Sequence, residues 1–118
     1  LREALLASTV AVNGLNEIKI GVLDGGVYGC TQGPRLETSA EIKKLERDGC
    51  DLVGMTAMPE AVLARELGID YVMLAHSVNW AAGIGFEEIT LAEIHAVIEK
   101  GMVFVHSVIR DFASGSFS

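Results

Sequence analysis

Thr31-Gln32-Gly33-Pro34-Arg35-Leu36-Glu37-Thr38, running on into Ser39-Ala40-Glu41, is the stretch that decides how this chain folds. It packs turn residues and polar groups between apolar elements, and it ends in a helix start. Thr38 and Glu41 have capping-box spacing, in which a hydroxyl and a carboxylate satisfy free amides of a first turn. Ile42 and Leu45 give the helix that follows a narrow apolar face, Lys43, Lys44, Glu46 and Arg47 read as solvated, and Gly49 marks its end. A second run of the same kind, Gly54-Met55-Thr56-Ala57-Met58-Pro59-Glu60, follows at the end of a short strand over 51–54.

Working outward toward the N-terminus, residues 27–31 read as a strand. Asp24-Gly25-Gly26 is a turn signal, and 18–23 reads as another strand, so the two are expected to form a hairpin. Residues 1–12 have helix formers, with Leu5, Leu6, Thr9 and Val12 near helical spacing and Asn13-Gly14 as a stop. In the other direction, Pro59 suits the first turn of a helix that Gly68 can terminate. The continuous apolar run 71–75 predicts a strand covered on both faces, with Asn79 beyond its far end. Thr90 and Glu93 repeat the capping-box spacing, and Leu91, Ile94, Ile98, Met102, Val105, Ile109 and Phe112 predict a long packed helix, with a frayed tail over 113–118. Alternating strands and helices without repeats or low-complexity blocks make this an α/β chain with one domain.

The 118 residues suffice for a modest core. Half of them are apolar, a fraction that fits a piece whose buried face meets more protein. Nine Lys plus Arg against sixteen Asp plus Glu give a net charge of −7, which disfavours nucleic acid and anionic membrane surfaces as partners. No apolar run is long enough to span a bilayer and no leader precedes the first helix, so the chain reads as cytoplasmic. Cys30 and Cys50 stand apart with no clustered ligands, which points to packed, reduced thiols and no metal. His76, His95 and His106 have no Ser, Cys or metal-ligand partner at telling spacing and read as packing or surface residues.

Strand-helix alternation places 54–59 and 79–83 at the carboxyl ends of neighbouring strands, where α/β sheets collect ligands. Thr56 precedes a helix, where free amides and the helix dipole favour an anion, although such a threonine is also an ordinary cap. Met55 has a bland reading as a flexible core filler. Glu37 has one as a charge near a helix N-terminus, worth up to about 1 kcal/mol. Asn79 has one as a turn former, and Arg35 reads as a salt-bridge residue.

Taken together and at this separation, the two runs resemble the signature loops of the purine nucleoside phosphorylase family, nearest in pattern to its 5'-methylthioadenosine and methylthioinosine phosphorylases. The resemblance runs from about Val27 to the end of the long C-terminal apolar stretch and covers only the second half of the family's domain. It implies that residues 1–118 are the C-terminal half of a mixed-sheet α/β domain flanked by helices, without the half that carries the arginine and histidine of the phosphate site. Gly54-Met55-Thr56 followed by Pro59-Glu60 matches the family's phosphate and ribose loop, with Met55 against the sugar and Thr56 on phosphate. Leu36 takes the base-facing position that is more often Phe, and Glu37 matches the acid with which oxopurine-specific members hold a ring N–H. Asn79 and Ala81 stand where adenine-preferring members have two Asp residues. Leu91, with Ile94 and His95, falls near the sugar's 5'-group, where an apolar side chain suits methylthio better than hydroxyl.

The resemblance implies phosphorolysis of a purine nucleoside, preferably 5'-methylthioinosine, with inorganic phosphate as co-substrate and neither cofactor nor metal. Breaking the glycosidic bond leaves electron density on the base. Asn79, which can donate a hydrogen bond where an ionised Asp cannot, is the expected leaving-group residue. The alternatives are a 5'-methylthioadenosine phosphorylase and a nonenzymatic purine-binding or subunit-association module. The family organisation implies a homo-oligomer, a trimer in the intact enzyme. The isolated chain is expected to be catalytically silent.

Overall fold

The computed structural model describes residues 1–17, 19–85 and 90–115. Along the chain come α1 (Arg2–Leu15), β1 (Tyr28–Cys30), α2 (Ser39–Arg47), β2 (Leu52–Gly54), α3 (Glu60–Leu67) and α4 (Leu91–Gly115). The β1-α2-β2 unit is the part that positions the site. Its two strands pair in parallel, with Tyr28 opposite Leu52, Gly29 opposite Val53 and Cys30 opposite Gly54.

Helix α2 forms as its sequence dictates. Thr38 Oγ1 accepts from the Glu41 amide and the Glu41 carboxylate accepts from the Thr38 amide, a complete capping box. At its other end Gly49, at φ 88°, lets the Gly49 amide reach Glu46 O and the Cys50 amide reach Leu45 O, the paired bonds of a Schellman stop. Ile42 is buried and Leu45 half-buried, while Lys43, Lys44, Glu46 and Arg47 are exposed. Leu45 and the Cys50 thiol lie against Gly29, where a Cβ would come within 3.3 and 3.0 Å of them, so the glycine brings helix and strand together. Helix α3 ends in the same way at Gly68, φ 67°.

Helices α1 and α4 pack on each other, with Leu5, Thr9 and Val108 buried. In α1 the apolar face is the expected one, and the Thr9 hydroxyl is satisfied by Leu5 O at 2.7 Å. The helix runs past Asn13-Gly14 to Leu15. In α4 the seam differs from the expected one. Val108 is fully buried, whereas Ile109 is 51% and Leu91 72% exposed, so the contact row passes through the residue before the expected one. The helix continues through Gly115, so the expected fraying of 113–115 is not found, and 116–118 lie outside the described residues.

Two expected strands are absent among the described residues. No strand forms over 19–23, and β1 pairs with β2 instead of folding back as a hairpin. Residue 18 of that expected strand lies outside the described residues. The Asn13 side chain explains part of the outcome. Its amide nitrogen donates to Ile20 O and its oxygen accepts from the Ile20 amide, at 2.8 and 2.9 Å, giving this backbone a local partner in place of a ladder. Val27 is tied to Asp51 by its carbonyl, which accepts from the Asp51 amide at 2.9 Å, and by its amide, which donates to the Asp51 carboxylate at 2.7 Å. Residues 71–75 form no strand either. A strand needs a ladder, and the sheet among the described residues has only β1 and β2.

The described chain is broad and thin, 47 × 40 × 22 Å, with a radius of gyration of 15.7 Å. A globular chain of this length is expected at about 13 to 14 Å. Leu5, Ile42, Ala57 and Val108 are the buried apolar residues among those described, and Val62, Leu63, Leu67 and Ile69 on and beside α3 are exposed.

Candidate functional site

The site is built where β1 and β2 end side by side. Beyond Cys30 the ladder extends by one bond, from the Thr31 amide to Gly54 O at 2.9 Å, so the loops that leave the two strands start in register. Gly33, at φ 64°, turns the first loop against the second. A Cβ there would lie 2.7 Å from the Met55 thioether sulfur, so a side chain cannot replace the hydrogen without moving Met55. Met55 is half-buried in this position.

Glu37 is half-buried, and its Oε1 accepts from the Thr31 hydroxyl at 2.5 Å. Arg35 is turned to a structural task, as its sequence context suggested. Two guanidinium nitrogens meet the two oxygens of Glu41 at 2.8 and 2.7 Å, and one of them also reaches Leu36 O at 3.0 Å. The Arg35 hydrogen bonds, followed by the Thr38 amide, lower the Glu41 carboxyl to about 2, and the same pairing raises the Arg35 guanidinium. Thr31, Gln32, Gly33, Arg35, Glu37, Glu41, Lys44 and Leu45 line an open groove of about 270 Å³, close to the lower end of small-ligand pockets at roughly 300 Å³.

Thr56 is exposed just before α3, and the Tyr28 phenol holds it from the neighbouring strand. The phenol oxygen accepts from the Thr56 amide at 3.4 Å and lies 3.3 Å from Thr56 Oγ1. Gly54 makes room for the ring, since a Cβ there would sit 2.8 Å from Tyr28 Cζ. Tyr28 and Thr31 were not singled out from the sequence. The signal was strand alternation, because residues 28 and 54 belong to paired strands whose ends carry the two polar runs.

The remaining sequence-derived residues are placed less closely. Leu36 is 51% exposed, beside the groove. Asn79 is exposed and its amide donates to Trp80 O at 2.7 Å, a local turn contact. Ala81 is half-buried, and its carbonyl accepts from the Ile84 amide at 3.1 Å. This loop reaches the site through Gly83, φ 80°, whose Cβ position lies 2.7 Å from the Ser39 hydroxyl, two residues after Glu37. Leu91 opens α4 with its side chain exposed. Residues 86–89, which precede it, lie outside the described residues. His76 packs its ring on Gly101 of α4, and His95 and His106 are exposed. No group of three or more His, Cys, Asp or Glu among the described residues gathers as a metal site. No described helix is long and apolar enough to cross a membrane.

A parallel β-α-β unit with a carboxylate groove and a hydroxyl at a helix start, both at strand carboxyl ends, is the arrangement in which α/β folds collect small-molecule ligands. Residues 1–114 match the Phosphorylase superfamily, and the chain belongs to that family. Among its relatives, the probable S-methyl-5'-thioinosine phosphorylase of Xanthomonas campestris pv. campestris is 53% identical over 97 residues, 81% of this chain and 39% of the relative. That of Pseudomonas syringae pv. tomato is 58% identical over 93 residues, 79% of this chain and 38% of the relative. A probable 6-oxopurine nucleoside phosphorylase of Moorella thermoacetica is 47% identical over 76 residues, 64% of this chain and 29% of the relative. The chain thus spans well under half the length of the relatives it matches.

Proposed function

We propose that this chain is the C-terminal half of an enzyme that cleaves an oxopurine nucleoside, preferably 5'-methylthioinosine, with phosphate, giving the free base and methylthioribose 1-phosphate. The observation that carries the reading is Glu37, held half-buried in a groove one loop away from Met55 and Thr56. An ionised carboxylate only accepts, so it selects a purine edge that presents a ring N–H, as hypoxanthine and guanine do. The names of the relatives from Xanthomonas and Pseudomonas support the same substrate class.

In this reading Leu36 packs on the base, Met55 on the sugar, and Gly54 makes room for the Tyr28 phenol that supports Thr56. Thr56 donates its hydroxyl to phosphate, while the Tyr28 phenol, satisfying the Thr56 amide, keeps that threonine in one orientation. Asn79 donates to the departing base, Ala81 leaves room beside it, and Leu91 meets the methylthio group. Phosphate is both co-substrate and nucleophile, so the chemistry rests on positioning and charge stabilisation and calls for no cofactor or metal. The thin shape and the exposed apolar face of α3 fit a body covered by the rest of the domain and by neighbouring subunits, in a cytoplasmic trimer.

The test is phosphate-dependent release of hypoxanthine from 5'-methylthioinosine by the full-length protein. Turnover of methylthioinosine at least tenfold more efficient than that of methylthioadenosine is expected. Equal or reversed preference removes the oxopurine reading, and absence of phosphorolysis with either substrate removes the enzyme reading in favour of a binding module.

A further inference from the structure

Resting on the oxopurine reading, we infer that Thr31 is a positioning residue that sets base selectivity by orienting the Glu37 carboxylate. The Thr31 hydroxyl has one proton and two acceptors in view, Glu37 Oε1 at 2.5 Å and Gly54 O at 3.4 Å. The nearer acceptor is also the charged one, so the proton goes to Glu37. One carboxylate oxygen is thereby engaged, rotation about the last side-chain bond is restrained, and the other oxygen is left to accept from a ligand. Arg35 directs its guanidinium hydrogen bonds to Glu41 and acts on Glu37 only through its charge, so the direct partner of the Glu37 carboxylate is the Thr31 hydroxyl.

Thr31 is itself fixed from the other side. Its amide donates to Gly54 O at 2.9 Å, one residue before Met55, and Gly33 brings its loop onto the Met55 sulfur. The acceptor for the base and the apolar contact for the sugar therefore share one frame, set by the ends of β1 and β2. A carboxylate free to rotate can accept a hydrogen bond from an exocyclic amine almost as readily as from a ring N–H. One restrained by Thr31 has a single oxygen to offer, which suits a ring N–H and is repelled by the bare ring nitrogen of an aminopurine.

The experiment compares kcat/KM for methylthioinosine and methylthioadenosine in the full-length protein and in Thr31→Val, Thr31→Ser, Glu37→Gln and Thr31→Val/Glu37→Gln. Thr31→Val is expected to lower kcat/KM for methylthioinosine about tenfold, equivalent to about 1.4 kcal/mol of transition-state binding, and to change methylthioadenosine by less than about threefold. Thr31→Ser keeps the hydroxyl and is expected to retain the selectivity ratio within about threefold. Added to Glu37→Gln, Thr31→Val is expected to cost nothing further, since its effect passes through that carboxylate. An unaltered ratio in Thr31→Val, equal losses with both substrates, or Thr31→Ser as impaired as Thr31→Val would each overturn the inference. An unmodified protein without preference for the oxopurine overturns the underlying reading instead, so the two failures are told apart by the parent enzyme.

Discussion

Replacing Gly54 by Ala adds one methyl group at the place where the two strands support the loop residues. Gly54 has no positive φ, so alanine can adopt its backbone. The difficulty is space. The new Cβ would sit 2.8 Å from Tyr28 Cζ and meet the phenol hydroxyl, closer than real Cβ contacts come, so the ring must swing away. Overpacking of this kind costs about 1 to 3 kcal/mol. The two phenol contacts to Thr56, at 3.3 and 3.4 Å, are long, and losing them adds about 0.5 kcal/mol each. The expected loss is therefore about 2 to 4 kcal/mol, read as a lower urea midpoint of the full-length protein with unchanged slope.

The functional effect follows from proton placement. The Thr56 amide donates to the phenol oxygen, so the phenol proton can be given to Thr56 Oγ1, and the threonine proton is then free for an anion. Displacing the phenol removes that support, and KM for phosphate should rise about three- to tenfold, with KM for the nucleoside changing less. Tyr28→Phe separates the two effects, raising the phosphate KM while leaving most of the stability. Gly54→Ala protein with the parent urea midpoint and the parent phosphate KM would refute the placement of Tyr28 over Gly54.

If Asn79 donates to the base as proposed, Asn79→Asp in the full-length protein replaces that donor by a carboxylate, and should lower kcat/KM for methylthioinosine by about tenfold to a hundredfold, or roughly 1 to 3 kcal/mol. Methylthioadenosine should lose less, and an unchanged substrate ratio in a folded variant would remove Asn79 from base selection. The Glu41 carboxyl is held at about 2, below the ordinary 4.5, so its contribution to stability is present above pH 4.5 and is lost as pH falls toward 2. A carboxyl-carbon NMR titration should find that midpoint in the parent protein and a return toward 4.5 in Arg35→Met. A parent midpoint near 4.5 would contradict the paired geometry.

Local chemistry was legible wherever a few neighbouring residues settle the outcome. Thr38 and Glu41 cap α2 by their spacing alone, Gly49 and Gly68 stop helices because only glycine enters the left-handed region without cost, and the paired Arg35 was visible as a salt-bridge candidate. The two polar runs were also legible as loops that leave strand ends. Partner choice was not. The sequence of 18–31 suits a hairpin, yet Val27 bonds to Asp51 and the Asn13 side chain satisfies Ile20, so β1 joins β2 across α2. A ladder is made with whichever backbone lies alongside, and that is a property of the packed chain. The burial of Val108 in place of Ile109 has the same origin, since periodicity defines a face only to within a residue and the packing of α1 on α4 selects the contact row. Thr31 and Tyr28 needed the tertiary structure most. Each acts on a residue distant or displaced in sequence, Glu37 six positions on and Thr56 on the next strand's loop, through a hydroxyl whose direction depends on where the paired strands end.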